Sequence, residues 1–197
     1  MPPLDRDALV DDPIEQLRRW YEQARDAVPL AEAMTLATVD QDGTPDARMV
    51  LLKGIEPGGL LFHTNYESAK GRQLEADPRA AVILYWREQD RQVRVRGSVE
   101  RLSAEESDEY FATRPPGGRY AAWASPQSRP IEREELDRRF AEAQERHGDD
   151  VLRPEHWGGF RLRPDRFEFW QGREDRMHDR FAYTPDGDGW RIERLAP

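Results

Sequence analysis

Residues 167–180 read FEFWQGREDRMHDR and combine a strand pattern, a turn and several basic side chains. Residues 168–170 are typical of a strand among aromatic residues, and residues 172–175 have the composition of a turn. If the chain is extended again after the turn, alternate side chains share one face, and these are Arg176, His178 and Arg180. Such a face is either a solvated strand edge or one wall of a site for an anionic or electron-rich group. The neighbouring aromatic residues favour the walled site; they are Phe167, Phe169, Trp170 and Phe181.

The composition of the chain excludes several classes of function. Its 197 residues suffice for one sizeable core, and they include no cysteine, which excludes disulfides, thiolate catalysis and cysteine-ligated metals. The four histidines lack metal-ligand spacing, so no metal site is predicted. No apolar stretch approaches a membrane span, and the net charge of −9 does not suit a broad nucleic-acid or anionic-membrane surface. We expect a cytoplasmic protein without such partners, in which a local basic pocket binds any phosphate ligand.

The periodicity of the chain predicts one domain of mixed α and β structure. Residues 1–11 are expected to form a mobile arm and residues 12–197 a single domain, which opens with a helix that Asp12 caps and that ends near residue 27. Helices are also predicted at 68–76, 103–113 and 131–147, with a Pro- and Gly-rich loop at 114–130. Strands are predicted at 34–39, 47–55, 60–64, 80–87, 92–102, 157–163, 166–171, 178–183 and 190–195. Antiparallel strands with inserted helices are typical of an α+β barrel.

Two further segments have features of an anion site. Lys53 and Lys70 are the only lysines among 30 Lys and Arg residues, so they are candidates for a role that needs a compact ammonium, although chance placement explains either one alone. In residues 48–53, RMVLLK, the lysine is in register with two apolar side chains and is expected to reach an anion or solvent. Residues 63–70, HTNYESAK, run from a strand into a helix start, which suits a phosphate or ordinary capping by Ser68.

The run at 167–180 and the C-terminal Arg194-Leu195-Ala196-Pro197 match the C-terminal signature of the pyridoxine/pyridoxamine 5′-phosphate oxidases. The chain resembles that family from about Asp12 to Pro197. The resemblance implies an α+β fold, an antiparallel FMN-binding split β-barrel with peripheral helices, and a homodimer with FMN at the interface. It also implies FMN-dependent oxidation of pyridoxamine 5′-phosphate and pyridoxine 5′-phosphate to pyridoxal 5′-phosphate, with O2 as acceptor and H2O2 released.

The resemblance implies that several segments contact the flavin. The strand at 48–53 would lie along it, and Gln127 with Ser128 would reach the site of the partner subunit. Ala69 stands where the family usually has Arg, so one phosphate contact is missing or comes from elsewhere. The implied cofactor-binding residues are Arg48, Met49, Val50, Leu51, Leu52, Lys53, His63, Thr64, Ala69, Lys70, Gln92, Gln127, Ser128, Trp170 and Arg180.

The resemblance also implies a set of substrate-binding residues. Tyr110 and Arg114 are one helical turn apart, so they form either a phosphate clamp or a surface stack, and the family uses these positions to bind the substrate phosphate. Gly118 stands where the family usually has Ser, so we expect this difference to affect the affinity for the substrate or the identity of the substrate. The implied substrate-binding residues are Lys53, Tyr110, Arg114, Gly118, Arg176 and His178, of which Arg176 and His178 are also the expected catalytic residues.

Two other functions stay open on the sequence alone. A related split-barrel flavin oxidase could act on another ring system, such as a phenazine precursor, and Gly118 leaves room for that substrate. A non-catalytic protein that binds flavin or pyridoxal phosphate is the second alternative. The Arg176 and His178 pair argues against it, because storage does not require that pair.

Overall fold

The computed structural model describes residues 3–197 as a nine-stranded antiparallel sheet with five α-helices around it. The helices are α1 (Pro13–Arg25), α2 (Ala69–Ala76), α3 (Ala104–Thr113), α4 (Pro116–Ala124) and α5 (Arg133–His147). The strands are β1 (Ala33–Val39), β2 (Pro45–Leu51), β3 (Gly54–Glu56), β4 (Gly59–Asn65), β5 (Arg79–Trp86), β6 (Arg91–Arg101), β7 (Trp157–Gln171), β8 (Asp179–Asp186) and β9 (Gly189–Leu195). The predicted α+β class is confirmed.

One long strand, β7, organises the sheet. The order is β2-β1-β5-β6-β7-β4-β3, with β6 along one side of β7. On the other side, β4 pairs with the first part of β7 and β8 with the last part, so the sheet forks, and β9 follows β8. A bulge in β7 lies at Asp165, because the consecutive residues Arg96 and Gly97 of β6 pair with Arg166 and Pro164; a side chain on Gly97 would collide there with the carbonyl oxygen of Arg163. The fork and the bulge curl the sheet, since bulges increase local bending and twist.

Two predicted strand boundaries are wrong. The predicted strands at 157–163 and 166–171 form the single strand β7. Pro164 is tolerated within it because this residue adjoins the bulge at Asp165, where the regular ladder is interrupted. The predicted strand at 47–55 is divided into β2 and β3, because the backbone N–H of Lys53 turns to the carbonyl of Leu61 on β4.

The predicted loop at 114–130 contains the helix α4. Pro116 occupies the first helical position, where no N–H donor is needed. The two glycines that follow are tolerated because the rest of the helix packs into an apolar cluster with α5; the buried residues of α4 are Tyr120, Ala122 and Ala124. Because α4 returns the chain toward the core, Gln127 lies beside the start of α2.

The basic run at 176–180 does not form one strand face as predicted. Glu174–Arg176 is a 3-10 turn in which Asp175 and Arg176 have left-handed φ angles of 56° and 58°. Strand β8 begins only at Asp179, so Arg180 is the only one of the three basic residues in a strand. Two consecutive left-handed residues redirect the chain, which leaves Arg176 exposed and His178 half-buried.

Local capping signals are confirmed and position the helices. The Asp12 side chain accepts from the N–H of Ile14, the Ser68 side chain accepts from that of Gly71, and Ser103 forms the predicted capping box. These caps fix where α1, α2 and α3 begin. No helix in the described part of the chain is long and apolar enough to cross a membrane.

Two apolar clusters hold the fold together. The larger cluster packs α1 against the sheet, with Leu17 and Trp20 buried. The smaller cluster lies under α3, α4 and α5 around Phe111 and Trp157. Within residues 3–11, part of the expected mobile arm, Leu4 and Leu9 are buried in the larger cluster. Mobility of residues 1–11 in solution stays a prediction.

Candidate active site

A cavity of about 570 Å³ opens beside the edge strand β2 and brings together most of the predicted phosphate-binding residues. Its walls come from β2, β4, α2, α3 and the segment that follows α4. The predicted residues that line it are Met49, Val50, Leu51, Lys53, His63, Thr64, Lys70, Tyr110, Arg114 and Gln127. The cavity therefore joins segments that are far apart in the sequence.

Lys70 is the buried cation of this cavity. Its Nζ lies 3.2 Å from Thr64 Oγ1 and 3.4 Å from Gln127 Oε1, and both are neutral acceptors. No carboxylate within residues 3–197 forms an ion pair with it. Burial and then the charge of Arg48 lower the pKa of Lys70, whereas Asp46 raises it. A buried ammonium without an ion-pair partner at the start of α2 is suited to a bound phosphate.

Arg48 is close to Lys70 but does not line the cavity. Its guanidinium donates to Thr38 Oγ1 at 2.5 Å, to Gln73 Oε1 at 2.9 Å and to Asp46 Oδ2 at 2.5 Å. The Asp46 carboxylate compensates the charge of Arg48 locally. Lys70 is therefore the cation at this end of the cavity that has no carboxylate of its own.

His63 belongs to an aromatic stack in the cavity wall. Its ring centroid lies 3.8 Å from that of Tyr110 and 5.5 Å from that of Trp157, with nearly parallel planes. Neither ring nitrogen has a hydrogen-bond partner in the described part of the protein. Burial and then the charges of Arg114 and Lys53 lower the pKa of His63 to about 4. The imidazole is therefore neutral near pH 7.

Arg114 lies at the other end of this stack. Its guanidinium carbon is 4.5 Å from the centroid of the Trp157 ring, and its Nη1 has no partner among residues 3–197. Burial lowers the pKa of Arg114. A Cβ added to Gly118 would lie 3.4 Å from Arg114 Nη2, so Gly118 is directly beside this guanidinium. The stack orients a cation with a free donor toward the cavity, which suits an anionic oxygen.

The remaining predicted residues lie on the open face of the sheet and in the turn beyond it. A cross-strand row runs from Met49 through Thr35, Ile83 and Arg94 to Glu168. Four strand spacings correspond to roughly 19 Å along the sheet. Gln92, Trp170 and Arg180 form the adjacent row on the same face. These residues are therefore well separated from the cavity of their own chain.

His178 packs against this second group. Its ring centroid lies 4.7 Å from that of Trp170, and its Nδ1 accepts a hydrogen bond from the backbone N–H of Arg173 at 3.2 Å. Because Nδ1 accepts, a neutral His178 carries its proton on Nε2 and can donate from there. Arg180, on β8, is bound to the buried carboxylate of Glu168 at 2.8 Å.

Other predicted residues take positions beside the cavity. The Leu52 side chain is buried in the core, Ala69 is the first residue of α2, and Ser128 is exposed with a left-handed φ of 71°. Gln127 lies at the cavity of its own chain, where its Oε1 accepts from Lys70 and from Thr64, and its contact with the site of a partner stays a prediction. The unpredicted helix α4 is the physical reason for that position.

Trp157 is a cavity residue that the sequence analysis assigned only to a strand. It supports both His63 and Arg114 by stacking. The Gly158-Gly159 pair that follows it is the signal that could have revealed this role. A Cβ on Gly159 would lie 2.9 Å from His63 Nε2, so the histidine ring needs that glycine. In the described residues, no group of three or more His, Asp or Glu side chains could hold a metal ion.

Comparisons with known proteins show the family of this chain. A family model described as pyridoxamine 5′-phosphate oxidase matches residues 21–155, and one described as the pyridoxine 5′-phosphate oxidase C-terminal dimerisation region matches residues 157–197. The pyridoxine/pyridoxamine 5′-phosphate oxidase of Bordetella pertussis is 54% identical over 94% of this chain and 89% of its own length. That of Rubrobacter xylanophilus is 54% identical over 98% of this chain and 91% of its own.

Solved structures give the same picture of the fold. PhzG from Burkholderia lata, in complex with tetrahydrophenazine-1-carboxylic acid, superposes with a TM-score of 0.93 at 33% identity, covering 100% of this chain and 99% of PhzG. A pyridoxamine 5′-phosphate oxidase-related, FMN binding protein from Nostoc punctiforme has a TM-score of 0.78 at 20% identity, covering 96% of this chain and all of its own. The predicted split β-barrel with peripheral helices is thereby confirmed. By two family models and by relatives of 54% identity, this chain belongs to the pyridoxine/pyridoxamine 5′-phosphate oxidase family.

Proposed function

We propose that the protein is a homodimeric, FMN-dependent oxidase of pyridoxine 5′-phosphate and pyridoxamine 5′-phosphate that forms pyridoxal 5′-phosphate. The observation that carries this proposal is a cavity with two buried or half-buried cations, Lys70 and Arg114, that have no carboxylate partner within the described chain. Two separate cationic ends suit two phosphates, one on the cofactor and one on the substrate. Relatives of 54% identity bear the name of this activity.

The residues at the α2 end fit the phosphate of FMN. Lys70 and Thr64 would bind it, because they supply an ammonium and a hydroxyl group to the cavity beside a helix start. The exposed Met49 and Leu51 provide an apolar surface for a flat ring. Arg48 would support this end through its proximity to Lys70. When bound, the flavin supplies the two-electron acceptor of the reaction.

The residues at the α3 end would bind the substrate phosphate. Arg114 has a free Nη1 donor, and Tyr110 holds the stack that orients it. The exposed Lys53, which also lines the cavity, adds a flexible ammonium between the two ends. The neutral His63 gives the stack an aromatic surface without adding a third fixed charge.

Arg176 and His178 would orient the reacting C4′ group of the substrate. The Nε2–H of His178 is a donor for the C4′ oxygen or nitrogen, and Arg176 stabilises negative charge near the same atom. Pyridoxine 5′-phosphate loses a hydride equivalent and a proton to give the aldehyde directly. Pyridoxamine 5′-phosphate gives an imine, which water hydrolyses with release of ammonia. O2 takes up the two electrons and two protons as H2O2.

A second copy of the chain would complete the site. Trp170, Arg176, His178 and Arg180 all lie in the segment that matches the family's dimerisation region, and Trp170 on β7 is four strand spacings, roughly 19 Å, along the sheet from the cavity strand β2. The sheet face between the two groups is open and carries exposed Met49 and Tyr85. We propose that two copies meet on this face, so that the Trp170 group of one lies over the cavity of the other.

Mixed dimers test this shared site. Lys53→Ala and Arg176→Ala should each leave the homodimer with at most about 3% of wild-type activity. Co-expression should restore about a quarter of wild-type activity, because half of the dimers are mixed and each has one intact site. A mixture as inactive as its parents would exclude the shared site, and a fully active monomer in sedimentation would exclude it as well.

Turnover of the purified protein tests the activity itself. With FMN present, pyridoxine 5′-phosphate should be converted to pyridoxal 5′-phosphate with one H2O2 per product. No product and no peroxide from either B6 phosphate would refute the proposal. If flavin binds but no substrate turns over, the non-catalytic alternative is correct. The cytoplasmic location stays a prediction, which cell fractionation tests.

A phenazine precursor is the second candidate substrate. The 33% identity and TM-score of 0.93 to PhzG favour it, as does Gly118 beside Arg114 where a hydroxyl is expected. A reduced phenazine carboxylate would also place an anion on Arg114. Parallel assays with both substrate classes decide between them, because the correct one should have the higher kcat/KM.

A further inference from the structure

The buried carboxylate of Asp179 joins the N-terminal segment to the turn that carries Arg176 and His178. Asp179 is 2% exposed and is the first residue of β8, directly after His178. Its Oδ2 accepts a hydrogen bond from the backbone N–H of Leu4 at 3.0 Å. Asp179 therefore links positions 175 residues apart in the sequence at the point where the turn re-enters the sheet.

Arg194 on β9 completes this link from the other side. Its Nη1 donates to Asp179 Oδ1 at 2.7 Å, and its Nη2 donates to the Leu4 carbonyl at 3.0 Å and to Asp5 Oδ1 at 2.8 Å. The guanidinium lies 4.5 Å from the Phe181 ring centroid. Burial alone would raise the pKa of Asp179, but the hydrogen bonds from Arg194 and Leu4 outweigh it, and the pKa lies below its usual value. The carboxylate is therefore ionised and fully engaged.

The turn itself has few contacts that could fix its position. Asp175 and Arg176 are both left-handed, which costs on the order of 1–3 kcal/mol each and persists only where the surroundings hold the chain. Within the turn, the Arg173 N–H donates to His178 Nδ1 at 3.2 Å, and the Arg173 side chain is 3.5 Å from Asp179. Asp179 is thus bound to the N-terminal segment, to Arg194 of β9 and to Arg173, which directly precedes the 3-10 turn.

We propose that Asp179 is a positioning residue through which the docked N-terminal segment, Leu4 and Asp5, sets the place of His178 and Arg176. The effect on catalysis rests on the proposed function, whereas the mechanical link between the segment and the turn does not. Asp179 does not touch the substrate in this proposal. It acts through the turn whose C-terminal end it anchors.

A purely structural role of the N-terminal segment makes a different prediction. Leu4 and Leu9 are both buried in the larger core cluster, at 5% and 6% exposure, and the N–H of Leu9 donates to the carbonyl of Arg6 rather than to Asp179. If the segment only adds apolar burial, losing either side chain should have the same consequence. If it acts through Asp179, only changes at Leu4, Asp5 or Asp179 should disturb the turn.

Limited proteolysis tests the link without reference to activity. Trypsin can cleave after Arg173 and Arg176, and the fragments are identified by mass spectrometry. Deletion of residues 1–5 and Asp179→Asn should each speed these cleavages about tenfold, because the turn opens locally more often. The deletion keeps the Asp179–Arg194 pair, so it remains informative if Asp179→Asn fails to fold. Leu9→Ala, with similar loss of burial, should leave these two cleavages near the wild-type rate.

Steady-state kinetics test the catalytic consequence. Both variants should lose about tenfold in kcat/KM, mainly in kcat, with FMN affinity within about twofold of wild type. Combining them should add little further loss, because both break one link. The proposal is overturned if cleavage after Arg173 and Arg176 stays at the wild-type rate in the deletion, or if Leu9→Ala reproduces its effect. A wild-type protein inactive on B6 phosphates refutes the proposed function alone, since the proteolysis still decides the link.

Discussion

The cavity and the basic turn of this chain differ in how firmly they are held. The cavity residues lie on β4, α2 and α3. Ser68 fixes the start of α2 and Ser103 that of α3, and His63 on β4 is held in a ring stack. The turn has two left-handed residues in succession, and its Arg176 is exposed. In the proposed function, phosphate binding would therefore depend on regular elements, whereas orientation of the reacting group would depend on a turn that other segments position.

The two regions also differ in charge compensation. In the cavity, Lys70 and Arg114 have no carboxylate partner within the described residues. Several strands away along the sheet, Arg180 is paired with Glu168, and Asp179 compensates Arg194. Uncompensated cations in the cavity should contribute to affinity for anions, and the turn should contribute to rate. Substitutions in each region should therefore have separable effects.

Arg176→Ala should have the largest effect and should act on rate. Loss of a charge-assisted contact near the reacting atom should lower kcat/KM by about 2–3 kcal/mol, or roughly 30- to 150-fold, with flavin content nearly unchanged. Steady-state assays and flavin absorbance measure the two quantities. Glu174→Ala, in the same exposed turn, is the control and should stay within a few-fold of wild type. Loss of flavin with normal activity per bound FMN would reverse the assignment of roles.

Lys70→Met should act on cofactor affinity. Methionine keeps most of the buried apolar stem but removes the charge, so FMN affinity should fall by about 1.5–3 kcal/mol, roughly 10- to 150-fold. Activity should return when FMN is added in excess. Equilibrium titration of the apoprotein measures the change. Arg72→Met, exposed on the same helix, is the matched control, and equal loss in both variants would contradict a specific phosphate contact.

Elements with local signals could be predicted from the sequence. Asp12, Ser68 and Ser103 mark helix starts because a cap is formed by residues within three or four positions of one another. The residues of the cavity could be named because the family pattern fixes them. Their proximity, however, depends on the long-range pairing of β4 with β7 and on the packing of α3.

Features decided by tertiary packing could not be predicted. Helix α4 was missed because its Pro and Gly residues are typical of a loop, and only the burial of Tyr120 against α5 offsets them. The prediction that Arg176 and His178 share a strand face was wrong, because the left-handed φ angles at Asp175 and Arg176 have no recognisable sequence signal. The hydrogen bond that Asp179 accepts from the N–H of Leu4 could not be predicted, because the two residues are at opposite ends of the chain.

His63→Phe should change the pH dependence of stability. The pKa of His63 falls from 6.5 to about 4 on folding, so on acidification the unfolded chain binds the proton first. The free energy of unfolding of the wild type is therefore unaffected by His63 above pH 6.5 and decreases as the pH falls from 6.5 toward 4. After allowance for partial solvent screening, the loss is roughly 1–2 kcal/mol. Urea unfolding of both proteins between pH 7 and 4 measures the difference, in which shared carboxylate effects cancel; equal slopes would contradict a neutral His63.

Gly118→Ser should have the smallest effect, and it separates the two candidate substrates. The new Cβ would lie 3.4 Å from Arg114 Nη2 and 3.6 Å from Nε, which is ordinary contact, so the side chain fits. Its hydroxyl could share a phosphate with Arg114 and lower the KM for a B6 phosphate about three-fold, the scale of one added hydrogen bond. Turnover should stay the same, because Gly118 is remote from the C4′ group in the proposed arrangement.

Gly117→Ser is the control for this change. It lies in the same helix with nothing within 4 Å of an added Cβ, so it should reproduce any gain in helix propensity without altering KM. A lower KM in Gly118→Ser alone would place the substrate phosphate at Arg114. Equal KM values in both variants, with higher kcat/KM on a phenazine precursor, would instead assign the α3 end of the cavity to a carboxylate on a larger ring.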